Sequence, residues 1–142
     1  MSDNPYYREL IDFRQTLQGW LTGTIPATEE DAISARLLGV IPEECMRITG
    51  DARLILDCVE DMAGLLQQHG AMPDFKMSLD DFCLHWEIDN LALVTFKEWT
   101  QIGDNVWGMQ SSIVFRKNPD TPFGVEWLHY QETMLPETEI ES

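Results

Sequence analysis

The spacing of apolar residues changes midway along this chain, and that change limits its fold more than any other feature. Up to Gly70 the apolar residues recur every three or four positions, as they do on one face of a helix. From residue 77 onward they alternate with polar residues, as they do along a strand that is buried on one side. Helices followed by a run of strands predict an α+β fold.

Capping signals predict two helices in the first 40 residues. Asn4 and Pro5 form an N-cap followed by a proline at the first helical position, and Gly23 ends this helix. A second, shorter helix is expected to open at Thr28-Glu29-Glu30-Asp31, which resembles a capping box, and to end at Gly39.

The next segment is predicted to contain a short strand and the best helix of the chain. The strand covers 45–49, and a turn at 49–51 leads into the helix, which Gly70 ends. The helix is predicted because its apolar residues are spaced by three, four and seven. These residues are Ala52, Ile55, Val59, Met62, Ala63 and Leu66.

Four strands are predicted in the second half of the chain. They cover 79–88, 91–101, 106–117 and 125–135. The connecting turns are short, so neighbouring strands should run antiparallel as a meander, with the 45–49 strand at an edge. We expect one domain over residues 1–136 and an acidic tail over 137–142.

These strands carry apolar residues on both faces, whereas a sheet with one wet face alternates cleanly. Helices can cover only one of the two faces. Strong curling of the sheet would bury both faces locally. Pairing of two copies through the outer face would also bury it, and we favour this homodimer.

Composition excludes several classes of function. The chain has 25 acidic and 9 basic residues, a net charge of −16, and its cations are scattered, which argues against a nucleic-acid partner. No apolar run approaches the roughly 20 residues that span a membrane. Without a signal segment, and with three cysteines that form no close pair, the sequence predicts a cytoplasmic protein.

The order of elements, α-α-β-α-β-β-β-β, and the closing segment Trp127-Leu128-His129-Tyr130-Gln131-Glu132-Thr133 resemble the nuclear-transport-factor-2-like superfamily. The likeness is greatest to small bacterial members related to polyketide-cyclase-like and ketosteroid-isomerase-like proteins. It implies a cone-shaped, cystatin-like α+β roll, in which three N-terminal helices pack in the concave face of a strongly curved, mostly antiparallel sheet. It also implies a pocket inside the cone and, in many members, dimers through the outer face of the sheet.

The last strand of this family often points two histidines and a serine into the pocket. Here His129 matches the first histidine, Gln131 stands in place of the second, and Thr133 replaces the serine. On the preceding strand, Ile113 stands where some members have an arginine. The resemblance therefore implies an apolar pocket with a few neutral polar groups.

Period-two geometry places Trp127, His129, Gln131 and Thr133 on one face, so three polar side chains are expected to converge in the pocket. A second set shares a face of the preceding strand, and the family resemblance assigns it to the concave side. These residues are Trp107, Met109, Ile113 and Phe115.

His129 is the predicted catalytic residue if the protein is an enzyme, because histidine exchanges a proton near neutral pH. A partner carboxylate would come from Glu98 or Glu132, although Glu132 has the opposite parity to His129. The alternative is a histidine that is simply hydrogen-bonded within the pocket wall.

The chain shows no pattern for a metal or a cofactor. Cys83 and His85 lie on the same side of a strand, but a metal site needs three or four ligands. No glycine-rich phosphate loop, serine nucleophile elbow or paired cysteine motif is present. We therefore predict neither a metal nor a cofactor.

Two functions remain from the sequence. The first is the binding of a small, largely apolar molecule, with isomerase-, dehydratase- or hydrolase-like chemistry as an extension. The second is a non-catalytic acidic module, such as an immunity-type protein, that docks on a basic partner through its charge. An open cavity favours the first function, and a completely filled cone favours the second.

Overall fold

The computed structural model of the chain describes residues 3–136. These residues form an α+β fold, and the predicted acidic tail at 137–142 lies outside them. The helices are α1 (Pro5–Thr22), α2 (Glu30–Leu38) and α3 (Cys58–Leu66). The strands are β1 (Met46–Ile48), β2 (Leu54–Ile55), β3 (Phe75–Ile88), β4 (Leu91–Ile102), β5 (Asn105–Lys117) and β6 (Val125–Met134).

The caps at both ends of α1 confirm its predicted bounds. The side-chain oxygen of Asn4 accepts hydrogen bonds from the backbone N–H of Tyr6 at 2.9 Å and of Tyr7 at 3.1 Å. Gly23 ends the helix with φ at 83°, a left-handed conformation that glycine adopts without steric cost.

The second helix begins later than predicted. A short 3-10 turn, Ala27–Glu29, precedes α2, and no side chain caps its first turn at Glu29. The predicted capping box is therefore not formed. Gly39 follows the last residue of α2, as expected.

The prediction for the third helix is wrong over its first six residues, which contain β2 instead. Ala52 has a positive φ of 66°, and Thr49 holds a tight turn by donating its N–H to the Arg53 carbonyl at 2.9 Å. The helix starts only where Asp57 caps it, accepting from the Glu60 N–H at 3.3 Å. Local hydrogen bonds thus override the apolar spacing of this segment.

The sheet has the order β2-β1-β6-β5-β4-β3 and is curled without closing. Strands β3 to β6 form the predicted antiparallel meander. Strand β1, predicted at an edge, instead pairs in parallel with β6 and carries β2 on its other side.

A bulge in β6 decides which of its side chains face inward. Phe115 of β5 lies opposite Trp127, but Val114 lies opposite His129, so Leu128 is an extra residue on β6. The parity of the strand changes there, and Tyr130 becomes the next buried side chain after Trp127. The expectation that positions 127, 129, 131 and 133 share one face is therefore wrong.

The helices cover the inner face of the sheet, where the core lies. On β4, the inner residues Ala92, Val94 and Phe96 are fully buried. The opposite side, which we call the outer face, carries half-buried Leu91 and Leu93 and more exposed apolar residues of β3. The exposed fraction is 36% for Trp86 and 58% for Ile88.

Candidate functional site

A cavity of about 350 Å³ lies between the helices and the inner face of the sheet. Most of its wall is apolar and is contributed by α1, α3 and the strands. The lining includes Leu17, Leu21, Met62, Leu65, Met77, Trp107 and Met109.

Three buried polar residues, which we call the inner cluster, line the cavity: Arg14, Glu98 and Tyr130. Arg14 donates from Nε to Glu98 Oε2 at 2.5 Å and from Nη2 to the Tyr130 hydroxyl at 2.8 Å. That hydroxyl donates in turn to Glu98 Oε2 at 3.3 Å. The Arg14 and Glu98 side chains are only 7% and 6% exposed, so this ion pair is largely shielded from water.

A second group of charges, which we call the mouth cluster, connects the cavity to the surface. Arg47 donates from Nε to Glu132 Oε1 at 2.8 Å and from Nη1 to Asp61 Oδ2 at 3.3 Å. Glu132 is 6% exposed, whereas Arg47 is 30% and Asp61 is 44% exposed. The three side chains thus lead from the interior towards solvent.

Aromatic rings lie beside both guanidinium groups. The Cζ atom of Arg14 lies 5.3 Å from the ring centroid of Trp127 and 5.7 Å from that of Tyr130. The Cζ atom of Arg47 lies 5.5 Å from the Tyr130 centroid. These distances are within the range of cation–π attraction, which helps to hold both cations beside the cavity.

Burial controls the protonation of the inner cluster. It raises the pKa of the Tyr130 phenol, and the carboxylates of Glu98 and Glu132 raise it further against the two arginines. Burial is the largest single effect on the Arg14 guanidinium and acts to lower its pKa, but the pKa rises because the charge and hydrogen bond of Glu98, together with Tyr130 and Glu132, outweigh burial. At neutral pH the site therefore holds a protonated phenol beside a charged guanidinium.

No protein-family model matches this sequence, and no curated protein matches it either. Among solved structures, an NTF-2 like protein of unknown function from Pseudomonas aeruginosa has a TM-score of 0.76 and 20% identity. The alignment covers 94% of this chain and 100% of that protein. This chain has an NTF2-like fold.

Other solved structures with a similar fold belong to diverse proteins. The beta subunit of benzoate 1,2-dioxygenase from Burkholderia mallei has a TM-score of 0.64 and 9% identity over 94% of this chain and 90% of that one. The association domain of CaMKII from C. elegans has a TM-score of 0.62 and 13% identity over 93% of this chain and 98% of that one. At such identities the likeness establishes the fold alone.

The NTF2-like cone places part of the predicted site at the cavity. Trp107, Met109 and Trp127 line it. Ile113 and Phe115 also face inward, but they are fully buried in the core and do not line the cavity. The assignment of this β5 face to the concave side therefore agrees with the structure.

The polar residues predicted for the last strand do not line the cavity. His129, Gln131 and Thr133 lie on the outer face because of the bulge at Leu128. His129 is half-buried, and its Nδ1 has no hydrogen-bond partner among the residues that the structure describes. A catalytic role for His129 stays a prediction, and His129 does not line this cavity.

The sequence interpretation missed Arg14, Arg47 and Tyr130, and it named Glu98 and Glu132 only as partners for His129. One signal for Arg14 was present, because this charged residue falls on the apolar face of α1. Glu98 likewise has the parity of the apolar positions of β4. Charges on a stripe that must be buried indicate a buried ion pair or a site.

The remaining residue considered from the sequence, His85, forms no metal site with the residues that the structure describes. His85 Nε2 lies 2.6 Å from Thr95 Oγ1, in a polar contact at the sheet surface. Over residues 3–136, no three His, Cys, Asp or Glu side chains are grouped to hold a metal ion. None of the described helices is long and apolar enough to cross a membrane.

Proposed function

We propose that this protein binds a small, largely apolar molecule in the cavity of its NTF2-like cone. The observation that carries the proposal is a cavity of about 350 Å³ with an apolar wall, a buried polar cluster and a partly exposed charged cluster at its mouth. Small-molecule sites typically combine an apolar lining with a few well-placed polar groups. The alternative function, an acidic module that docks on a basic partner, is favoured by a completely filled cone. The open cavity therefore favours ligand binding.

The inner cluster supplies the groups that would orient the ligand. Tyr130 is held between Arg14 and Glu98, so its hydroxyl has a fixed position at the cavity wall. Each carboxylate oxygen has two lone pairs, so Glu98 keeps acceptor capacity after its bonds to the protein. A ligand with an apolar body and one hydroxyl, amine or amide group would match this arrangement.

Fluorescence of the neutral probe 1-aminoanthracene tests this proposal, because its emission increases when it leaves water for an apolar site. We expect saturable binding to the wild-type protein. Thr100→Trp introduces an indole at the buried cavity wall, and it should weaken binding at least about tenfold, or about 1.4 kcal/mol.

Gln101→Trp is the matched control, because it adds the same side chain one residue along, on the outer face of β4. It should leave probe binding unchanged. Circular dichroism checks that both variants fold. Unchanged binding by a folded Thr100→Trp variant would show that the probe does not occupy this cavity.

We also propose that two copies pair through the outer face of the sheet. Exposed apolar residues of β3 support this, since Trp86 is 36% and Ile88 is 58% exposed. Light scattering should give twice the 16.3 kDa chain mass for the wild type and one chain mass for Trp86→Lys. Leu56→Lys, at a 64% exposed apolar residue between β2 and α3, is the control and should remain dimeric.

A further inference from the structure

The charges around the cavity do not balance. Three carboxylates, Glu98, Glu132 and Asp61, face two guanidinium groups, Arg14 and Arg47. We infer that the cavity selects cationic and neutral ligands over anionic ligands with the same apolar body. This inference rests on the proposed function and specifies its ligand class.

Both arginines are already bound to carboxylates, so their positive charges are compensated at the cavity wall. Arg14 is hydrogen-bonded to Glu98 and to the Tyr130 hydroxyl, and Arg47 bridges Glu132 and Asp61. An anionic ligand would either face this excess of carboxylates or displace one of them from its arginine. Since Glu98 and Glu132 are each only 6% exposed, displacement would leave a buried charge without its partner, which is strongly unfavourable.

The same excess of carboxylates favours an ammonium group on a ligand. It brings the local charge from −1 to zero, and it can donate to carboxylate oxygens that retain lone pairs after their bonds to arginine. Trp107, which lines the same cavity, adds an aromatic ring of the kind that attracts cations. The chain's net charge of −16 also favours the approach of cations at low ionic strength.

Three ligands that share a naphthalene body test this inference: 1-naphthylmethylamine, 1-naphthylmethanol and 1-naphthoic acid. At neutral pH they are cationic, neutral and anionic. Each is titrated against the 142-residue protein loaded with 1-aminoanthracene, and probe displacement gives its affinity. We expect the amine to bind most tightly and the acid most weakly, with at least about a tenfold difference between them at low salt, or about 1.4 kcal/mol.

Asp61→Asn tests whether the charge at the cavity causes this order. It removes the excess carboxylate but keeps an oxygen that can accept from Arg47, and Asp61 is partly exposed, so the fold should persist. The ratio of amine to acid affinity should fall by about threefold or more. Glu60→Gln is the matched control, because Glu60 is the preceding, exposed residue of α3 and does not line the cavity.

The outcomes separate this inference from the proposed function. If the probe and all three ligands fail to bind, both are overturned. If the ligands bind and the acid is as tight as the amine or tighter, only the selectivity is overturned. If Glu60→Gln and Asp61→Asn lower the ratio of amine to acid affinity equally, the selectivity comes from the overall charge of the protein. That result would contradict selectivity caused by the charges at the cavity.

Discussion

Replacing Glu98 with glutamine tests how strongly the buried ion pair at the cavity supports the fold. The change keeps the size of the side chain but removes the charge that faces Arg14, and both side chains are at least 93% buried. Two unit charges about 4 Å apart interact by about 4 kcal/mol at an effective dielectric constant near 20. Removing one partner of a buried pair typically costs about 3–5 kcal/mol, because the other charge stays buried.

We therefore expect Glu98→Gln to lower the free energy of unfolding by about 3 kcal/mol. For a chain of this length, such a loss corresponds to a drop in melting temperature of roughly 10 °C. Urea unfolding followed by tryptophan fluorescence measures the change, with the slope against urea checked for two-state behaviour.

The double variant Arg14→Met/Glu98→Gln separates the charge from the packing. It removes both charges and should recover at least about half of the loss, because no buried charge then lacks a partner. Arg53→Met, which breaks an exposed pair with Asp51, is the control and should cost much less. A loss below about 1 kcal/mol for Glu98→Gln would refute the argument, as would a double variant whose loss equals the sum of the two single losses.

The buried Cys45 thiol and the buried Tyr6 phenol each give a testable prediction. Burial raises the pKa of the Cys45 thiol, and Cys45 and Cys58 are only 6% and 9% exposed. In a Cys83→Ser variant, Ellman's reagent should therefore find no fast-reacting thiol until urea unfolds the protein, and two fast thiols before unfolding would contradict this. Burial and the hydrogen bond to Glu87 raise the pKa of Tyr6 from 10.0 to about 12. Its contribution to stability is then fully present below pH 10 and is lost as the pH rises to about 12. Urea unfolding at several pH values measures the free energy of unfolding, which should fall less steeply over this range in Tyr6→Phe than in the wild type. An equally steep fall in both proteins would contradict the raised pKa of Tyr6.

The parts of the fold that were predictable are those that local chemistry determines. Asn4 and Gly23 cap α1 through hydrogen bonds to their own neighbours, so the sequence around them is sufficient. The four long strands are separated by short turns, which leave antiparallel pairing as the simple solution. The third helix was mispredicted because Thr49 and Asp57 form side-chain hydrogen bonds that apolar spacing does not reveal.

The candidate site was harder to predict because it depends on one extra residue. The bulge at Leu128 reverses the parity of β6, which turns Tyr130 and Glu132 inward and His129 outward. Register depends on pairing with β5 over the whole strand, and the pattern within β6 alone does not specify it. Arg14 could be recognised as unusual on an apolar helix face, but its partner Glu98 is 84 residues away and only the fold brings the two together.

Methionine methyl resonances test most directly whether a small molecule occupies the cavity. Four methionines, Met62, Met72, Met77 and Met109, line the cavity, whereas Met46 is exposed on β1 and does not. The ε-methyl groups are labelled with carbon-13, and their resonances are followed while 1-naphthylmethanol is added. We expect saturable shifts for the four lining methionines and none for Met46. Unshifted resonances for those four at saturating ligand, or equal shifts for all five, would contradict binding in the cavity.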